Sequence, residues 1–475
     1  LDGSTFKGDV DASLSDLAAL DGLTGRTLGG TATLRLSPFA MSDKSDIAGD
    51  FTLRTTGITT GDPALDAFIG NVSADGSLLV LGKGGYALPS FAVTPQSGAY
   101  KLSGNVGSSA GGNLTGEAHF ETREIAALLP RGEASGAVKA DVTLTGTMEA
   151  PAGHLVATLD KGSVSGVATE SLSADIHAVP GGTGALVLRY KGAPGSAAID
   201  AQLTLPSEGG VKLDSIDGAI FGGKLTGYAS VDNSGEITSA IRGEHINLTS
   251  VGDFTGLPVS GVGDLDFAMT PAGGKQAASL VFKAPRIDAG GVTFDRTELN
   301  IQMSDLFGTP VMDAGFYAAA GQFALTHLSG VNLKAKGPLD TLAFDANILG
   351  THEDALPKAF ALTTQGVVRS KGATSIDLQT FNLTLGTATA ALAKPVAIRL
   401  ENGLSAKGIA IDMTGATGAG QIAGDVAIAS TAQMKLRFSN MPLDFSTLFL
   451  PAGSVEGSLS GTLDLDAARN KGNAR

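Results

Sequence analysis

The chain has no cysteine and no tryptophan among its 475 residues. Without thiols it has no disulfides, no thiolate metal ligands and no cysteine nucleophiles. Aromatic residues make up 5% and tyrosines number 5, so few large anchors are on hand to fill a thick interior. Charged residues are also scarce, at 17%, against about a quarter in ordinary soluble domains. No apolar run approaches the ~18 residues of a membrane-spanning helix. No basic segment followed by an apolar run opens the chain, so no signal peptide is read there. Lys and Arg number 33 against 47 Asp and Glu, a net charge of −14 with a pI near 4.8. That balance argues against nucleic acid, whose affinity rests on basic patches. It argues equally against electrostatic docking on an anionic membrane surface.

What the chain has is glycine, 66 residues of it, and a slightly positive mean hydropathy of +0.17. It also has a period of two. In "GSVEGSLSGTLDLDA" (453–467), Val455, Leu459, Leu463 and Leu465 share one parity while Glu456, Ser458, Ser460, Thr462, Asp464 and Asp466 take the other. Side chains on a strand alternate between faces, so such a stretch has one apolar and one polar face. The same alternation places Leu34 and Leu36 against Arg35, and Val142 and Leu144 against Asp141 and Thr143. Leu265, Phe267 and Met269 oppose Asp264 and Asp266, and Leu299 and Ile301 oppose Asn300 and Gln302. Leu342 and Phe344 oppose Asp345, and Leu436 and Phe438 oppose Lys435 and Arg437. Strand signals recur roughly every ten to fifteen residues, parted by turn signals such as "DNSG" (232–235) and "ENG" (401–403), the pattern of an antiparallel meander.

Helical signal is confined to short pieces: "SLSDLAAL" (13–20), "PALDAFIG" (63–70), "TREIAALLP" (122–130), "EDALPKAFAL" (353–362) and "DFSTLFLP" (444–451). Most precede a Gly-containing stretch and then an alternating strand, a loose repeat of irregular spacing. No firm domain boundary is legible. The best seams are "AVPGGTG" (178–184) and "THEDALPK" (351–358), and both read equally well as long turns.

Catalytic motifs are weak or absent. His119, His154, His177, His245, His327 and His352 are scattered singly, with no spacing suited to zinc. "GKGGY" (82–86) lacks the ending of a phosphate loop, and "GSLSG" (457–461) has Leu where a nucleophile elbow needs Ser. Ser4 and Lys7 form an isolated Ser-x-x-Lys match. The pairs Asp9 and Asp11, Asp264 and Asp266, and Asp464 and Asp466 lie in alternating stretches, where a solvated strand face is the plainer reading than calcium. "GGVTFD" (290–295) only partly matches a calcium-binding repeat, and the sequons at Asn71, Asn113, Asn247 and Asn382 are expected by chance in so Ser- and Thr-rich a chain. No enzyme, cofactor or metal is read from this sequence.

The apolar faces therefore carry the question. They either pack against one another as a dry scaffold, structural or adhesive, or line an open groove. Here a resemblance enters. "MPLDFSTLFLPAGSVEGSLSGTLDLDA" (441–467) resembles the recurrent unit of the TamB family in the AsmA-like superfamily, in which a short "LxxLxxLxP"-like piece precedes "x-x-x-G-x-L-S-G-x-x-x-L". "STFKGDVDASLSDLAALDGLTGRTLGGTATLRLS" (4–37) is similar to the alphaproteobacterial form of that family.

The resemblance implies a bridge-like lipid carrier of the Gram-negative periplasm, anchored in the inner membrane and engaging an outer-membrane BamA-like barrel. Neither anchor nor barrel-binding module is recognisable here, so residues 1–475 read as one internal stretch of a longer protein. The expected fold is all-β: an elongated, curled antiparallel sheet, a half-pipe groove with a few short helices. Roughly 30 to 35 strands at ~4.8 Å would stack to about 150 Å. The expected partners are phospholipid acyl chains, moved between the two membranes, with a role in outer-membrane assembly. The expected groove lining is Leu34, Leu36, Val142, Leu144, Leu265, Phe267, Met269, Leu299, Ile301, Leu342, Phe344, Leu436, Phe438, Leu459 and Leu463.

Overall fold

The structure is a computed structural model that describes residues 5–20, 28–42, 46–61, 66, 68, 70–129, 134–147, 150–164, 166–179, 181–206, 208–353, 358–401, 403–429, 431–448 and 457–468. Among them are 29 β-strands and one α-helix, α1 (Leu248–Thr255). The protein is all-β. It divides into two compact units, Leu1–Gly235 and Glu236–Arg475, the division falling at the end of the "DNSG" turn.

Each unit is an antiparallel meander. In the first, β1 (Thr5–Leu14) to β14 (Gly223–Val231) pair each with the next in sequence. The second runs from β15 (Ile237–Asn247) to β29 (Ser458–Ala468) in the same way, with one divided rung. There β24 (Ala388–Leu392) and β25 (Val396–Arg399) both pair with β23 (Ser375–Leu385) on one side and β26 (Leu404–Gly415) on the other. The gap contains Pro395, which has no N–H to give to a ladder. Each unit thus has fourteen rungs, a stack of roughly 60 Å at ~4.8 Å per strand.

The turns follow from local chemistry. Gly290 and Gly291, both at positive φ (63° and 84°), join β17 (Gln276–Ala289) to β18 (Val292–Ser304) in a two-residue hairpin. Such hairpins require φ > 0 at both central positions, which glycine supplies without strain. Segment 178–184 is the connection from β10 (Val167–Ala178) to β11 (Thr183–Gly192), inside the first unit. Segment 351–358 joins β21 (Thr341–His352) to β22 (Lys358–Arg369), inside the second, with 354–357 outside the described residues.

Counted by rungs within each unit, with β24 and β25 as one rung, the helical pieces among the described residues all follow an odd rung, and in an antiparallel meander these connections lie on one margin of the sheet. The 3-10 turns Leu17–Leu20 and Ile125–Leu128 mark this margin in the first unit, α1 and the 3-10 turn Leu443–Leu448 in the second. Three expected helices are thus short 3-10 stretches of four to six residues, with 130 and 449–451 outside the described residues, as is most of 63–70. The expected helix at 353–362 is corrected: from Lys358 onward it is the strand β22, where Phe360 and Leu362 alternate with Ala361 and Thr363. Two short apolar turns of sequence cannot nucleate a helix without a packing face to reward it.

The sequence reading missed α1. The Asn247 side chain caps it, Oδ1 accepting from Thr249 N at 2.9 Å, and Gly256 in the left-handed region (φ 75°) ends it. Leu248 is buried against Ala284 and Ile287, with Val259, Phe282 and Phe316 around them. On the same margin, bulges interrupt the ladders at Gly243/Ile246, Val262/Asp264 and Leu328/Gly330, and His245 and Arg296 take positive φ (57° and 51°). A bulge bends its strand and increases its twist.

Candidate functional site: the apolar sheet face

Directly paired residues in an antiparallel ladder share a face, so the register can be followed from strand to strand. In the first unit one row runs Leu36, Phe51, Gly76, Phe91, Gly104, Ala118, Val142, Leu155, Ile176, Leu186, Ala201. In the second unit a row runs Ile241, Phe267, Leu280, Ile301, Ala314, Ala335, Phe344, Gly366, Leu378, Val396. A further row there, Leu342, Val368, Ile376, Ile398, Ala406, Val426, Met434, Leu465, carries the same face to the last strand. No polar side chain breaks any of the three.

Every residue named above as groove lining sits on this face of its unit. Leu34 pairs with Leu53 beside the Leu36 row, and Leu144 with Gly153 beside Val142. Leu265 and Leu299 both pair with Phe282, and Met269 with Ala278. Leu436 lies between Gly424 and Leu463, Phe438 between Ile422 and Gly461, and Leu459 opposite Met441. All are half-buried except Leu459 and Leu463, exposed at 43% and 41% on β29.

Most of the large side chains on this face are only half-buried, so among the described residues no second layer covers it. The chain of 47.6 kDa exposes 26803 Å². Two separate compact bodies of half that mass would expose only about 20,000 Å². Real clusters form where the marginal pieces fold over the sheet: Tyr100 and Leu128 with Val72, and Phe445 with Leu385 and Met413. Away from that margin the apolar side chains have strand neighbours but, among the described residues, no roof.

Several phenylalanines on this face pair with glycines across strands. Phe39 pairs with Gly8, Phe51 and Phe91 with Gly76, Phe294 with Gly321, Phe344 with Gly366, Phe360 with Gly350, and Phe438 with Gly461. A Cβ on Gly76 would lie 2.9 Å from the Phe51 ring, and one on Gly366 would lie 2.8 Å from the Phe344 ring. At these two pairs the ring lies along the sheet over its bare neighbour, whereas nothing comes within 4 Å of where a Cβ on Gly461 would stand. Sequence reasoning missed these glycines as functional residues. The signal is cross-strand, and it becomes readable only with the register in hand.

The opposite face is polar and pairs its charges across strands. Arg189 reaches Asp200 at 2.8 Å, Lys191 reaches Glu170 at 2.7 Å, Lys336 reaches Asp313 at 2.6 Å and Arg369 reaches Asp377 at 2.8 Å. Exposed pairs of this kind are worth ~1 kcal/mol or less each. The histidines fall in with them: His119 meets Asp141, His154 meets Asp175 at 2.7 Å, and His327 meets Glu353 at 2.8 Å. The twinned carboxylates serve neighbours too. Asp9 accepts from Ser37, and Asp264 accepts from the bulged His245 N–H at 2.7 Å. Among the described residues no group of three or more His, Asp or Glu gathers to hold a metal ion, and no helix is long and apolar enough to cross a membrane. Compared with protein families and with characterised proteins, the chain matches none.

Proposed function

We propose that this chain is a lipid-carrying β-groove, one stretch of a bridge-like protein that moves phospholipid between two membranes. The observation that carries the reading is the apolar face itself: unbroken along the rows traced in each unit, and without a second layer among the described residues. Exposed apolar surface of this extent is costly in water and marks a binding surface. Acyl chains fit it because they demand no hydrogen bonds, and where Phe51 and Phe344 lie flat over Gly76 and Gly366 room is left above the sheet. Headgroups would stay in water. The resemblance of 441–467 and 4–37 to TamB-family units agrees with this reading. It adds, as part of the proposal, a periplasmic location, an inner-membrane anchor elsewhere in the parent protein, and an outer-membrane BamA-like barrel as partner.

Native mass spectrometry of the protein purified without detergent tests the reading. Co-purified phospholipid, exchangeable for a labelled phospholipid added in vesicles, is the expected result. A lipid-free protein that takes up none of the label would leave a dry structural scaffold as the better account.

A further inference from the structure

The apolar face is not uniform. In the second unit, five strands contribute the row Phe294, Gly321, Leu328, Gly350, Phe360, directly paired from β18 to β22. Two glycines alternate with three large side chains in this row. The large side chains of this row border a cavity of about 520 Å³, floored by Phe294, Leu328, Val331, Ile348 and Phe360. That volume lies within the ~300–1,000 Å³ of small-molecule sites. The turn at Phe323–Leu325 walls its marginal side, and both of these residues are strongly exposed, at 56% and 49%.

The chemistry of the lining selects the occupant. It holds no charged side chain. Its polar side chains are Thr326 and His352, and they bond each other at 3.0 Å. A peptide lying here would bring backbone N–H and C=O groups that find no side-chain partner on this floor, a costly burial. A hydrocarbon chain brings none. We propose that this cavity is a seat for a single acyl chain, a fixed resting station within an otherwise continuous groove. This inference rests on the lipid-carrying reading above and deepens it. The exposed Phe323 and Leu325 form the apolar lip over which the chain slides in, and the Thr326–His352 pair satisfies its own polar atoms within the lining.

The test uses the full chain and a phosphatidylcholine with a diazirine midway along one acyl chain, supplied in vesicles at low lipid-to-protein ratio. After photolysis, peptide mapping locates the crosslinks. The expected result is concentration on Leu328, Val331, Ile348 and their neighbours. In Val331→Phe, or in Ile348→Phe should the first fail to fold, crosslinks there fall by about tenfold, the change that ~1.4 kcal/mol makes. Labelling around Leu144, on the face of the other unit, is unchanged. Crosslinks spread evenly along both apolar faces, indifferent to the filling variants, overturn the seat while leaving the groove intact. Crosslinks absent from every apolar-face residue overturn the lipid-carrying reading itself and the seat with it.

Discussion

The ring of Phe344 on β21 lies over Gly366, its direct partner on β22, in the space a Cβ there would need. The pair is a unit of construction. Gly366→Ala drives a Cβ to 2.8 Å from that ring and 2.6 Å from the Asp377 carbonyl oxygen. The expected cost is about 1–3 kcal/mol, the range for forcing extra volume into a filled site. Phe344→Ala removes the obstructing ring, so the double variant loses less than the sum of the two single losses. Urea unfolding of the four proteins measures this, and strict additivity would show that the ring and the glycine are independent.

The helix α1 hangs on its cap. Asn247→Ala removes the acceptor of the Thr249 N–H, at an expected ~0.5–2 kcal/mol. Because Leu248 anchors the cluster of Ala284 and Ile287, hydrogen exchange should quicken in α1 and at the adjoining ends of β16 (Val259–Pro271) and β17, and leave the first unit untouched. Asn247→Asp keeps the acceptor and should keep protection.

Much of this was legible in the sequence, for a definite reason. Period-two alternation needs no knowledge of partners, so the all-β class and the parity of residues such as Phe267 and Leu436 could be read directly. What could not be read is everything set by pairing. Gly366 is one of 66 glycines until the register puts Phe344 across from it. The cavity bordered by Phe294, Leu328 and Phe360 needs five strands in register before it exists. "EDALPKAFAL" has helical spacing in one dimension, yet tertiary pairing with β21 and β23 holds Lys358 onward as a strand. The cap at Asn247 and the Gly256 stop were readable signals, hidden by the strong strand pattern that follows them.

Tyr100 should give the first unit an alkaline limit. It is 2% exposed, stacks on Phe68 with ring centroids 4.4 Å apart, and its hydroxyl donates to the Phe68 carbonyl oxygen at 2.6 Å. Burial raises its pKa above the ordinary 10.0. A folded pKa above the unfolded one means that the contribution is fully present below pH 10.0 and is lost as pH rises through the folded value. Stability should therefore be flat on this account up to about pH 10 and fall beyond it. Tyr100→Phe should lower stability at neutral pH by about 0.5–1.5 kcal/mol and remove this part of the alkaline decline. Denaturation midpoints against pH for both proteins check it, and identical alkaline slopes would exclude Tyr100 as the cause.

The two faces of the sheet should respond oppositely to a new charge. Phe267 and Leu436 lie on the apolar face, in the rows with Leu280 and with Gly424 and Leu463. Arg437, one residue on, faces the polar side between Ala423 and Thr462. An aspartate at Phe267 or Leu436 sets a carboxylate where acyl chains would lie. Without a partner it costs several kcal/mol in an apolar setting or shifts its pKa and takes up a proton. Both faces tolerate the backbone change equally, because all three positions are regular strand. Phe267→Asp and Leu436→Asp should therefore cut phospholipid uptake severalfold while circular dichroism keeps its β signature, and Arg437→Asp should leave uptake near that of the parent. Lowering the pH below the carboxylate range should restore part of the uptake in the first two, since a neutral carboxyl obstructs less than a charged one. Equal uptake by all three folded variants would remove the apolar face from any part in carrying lipid.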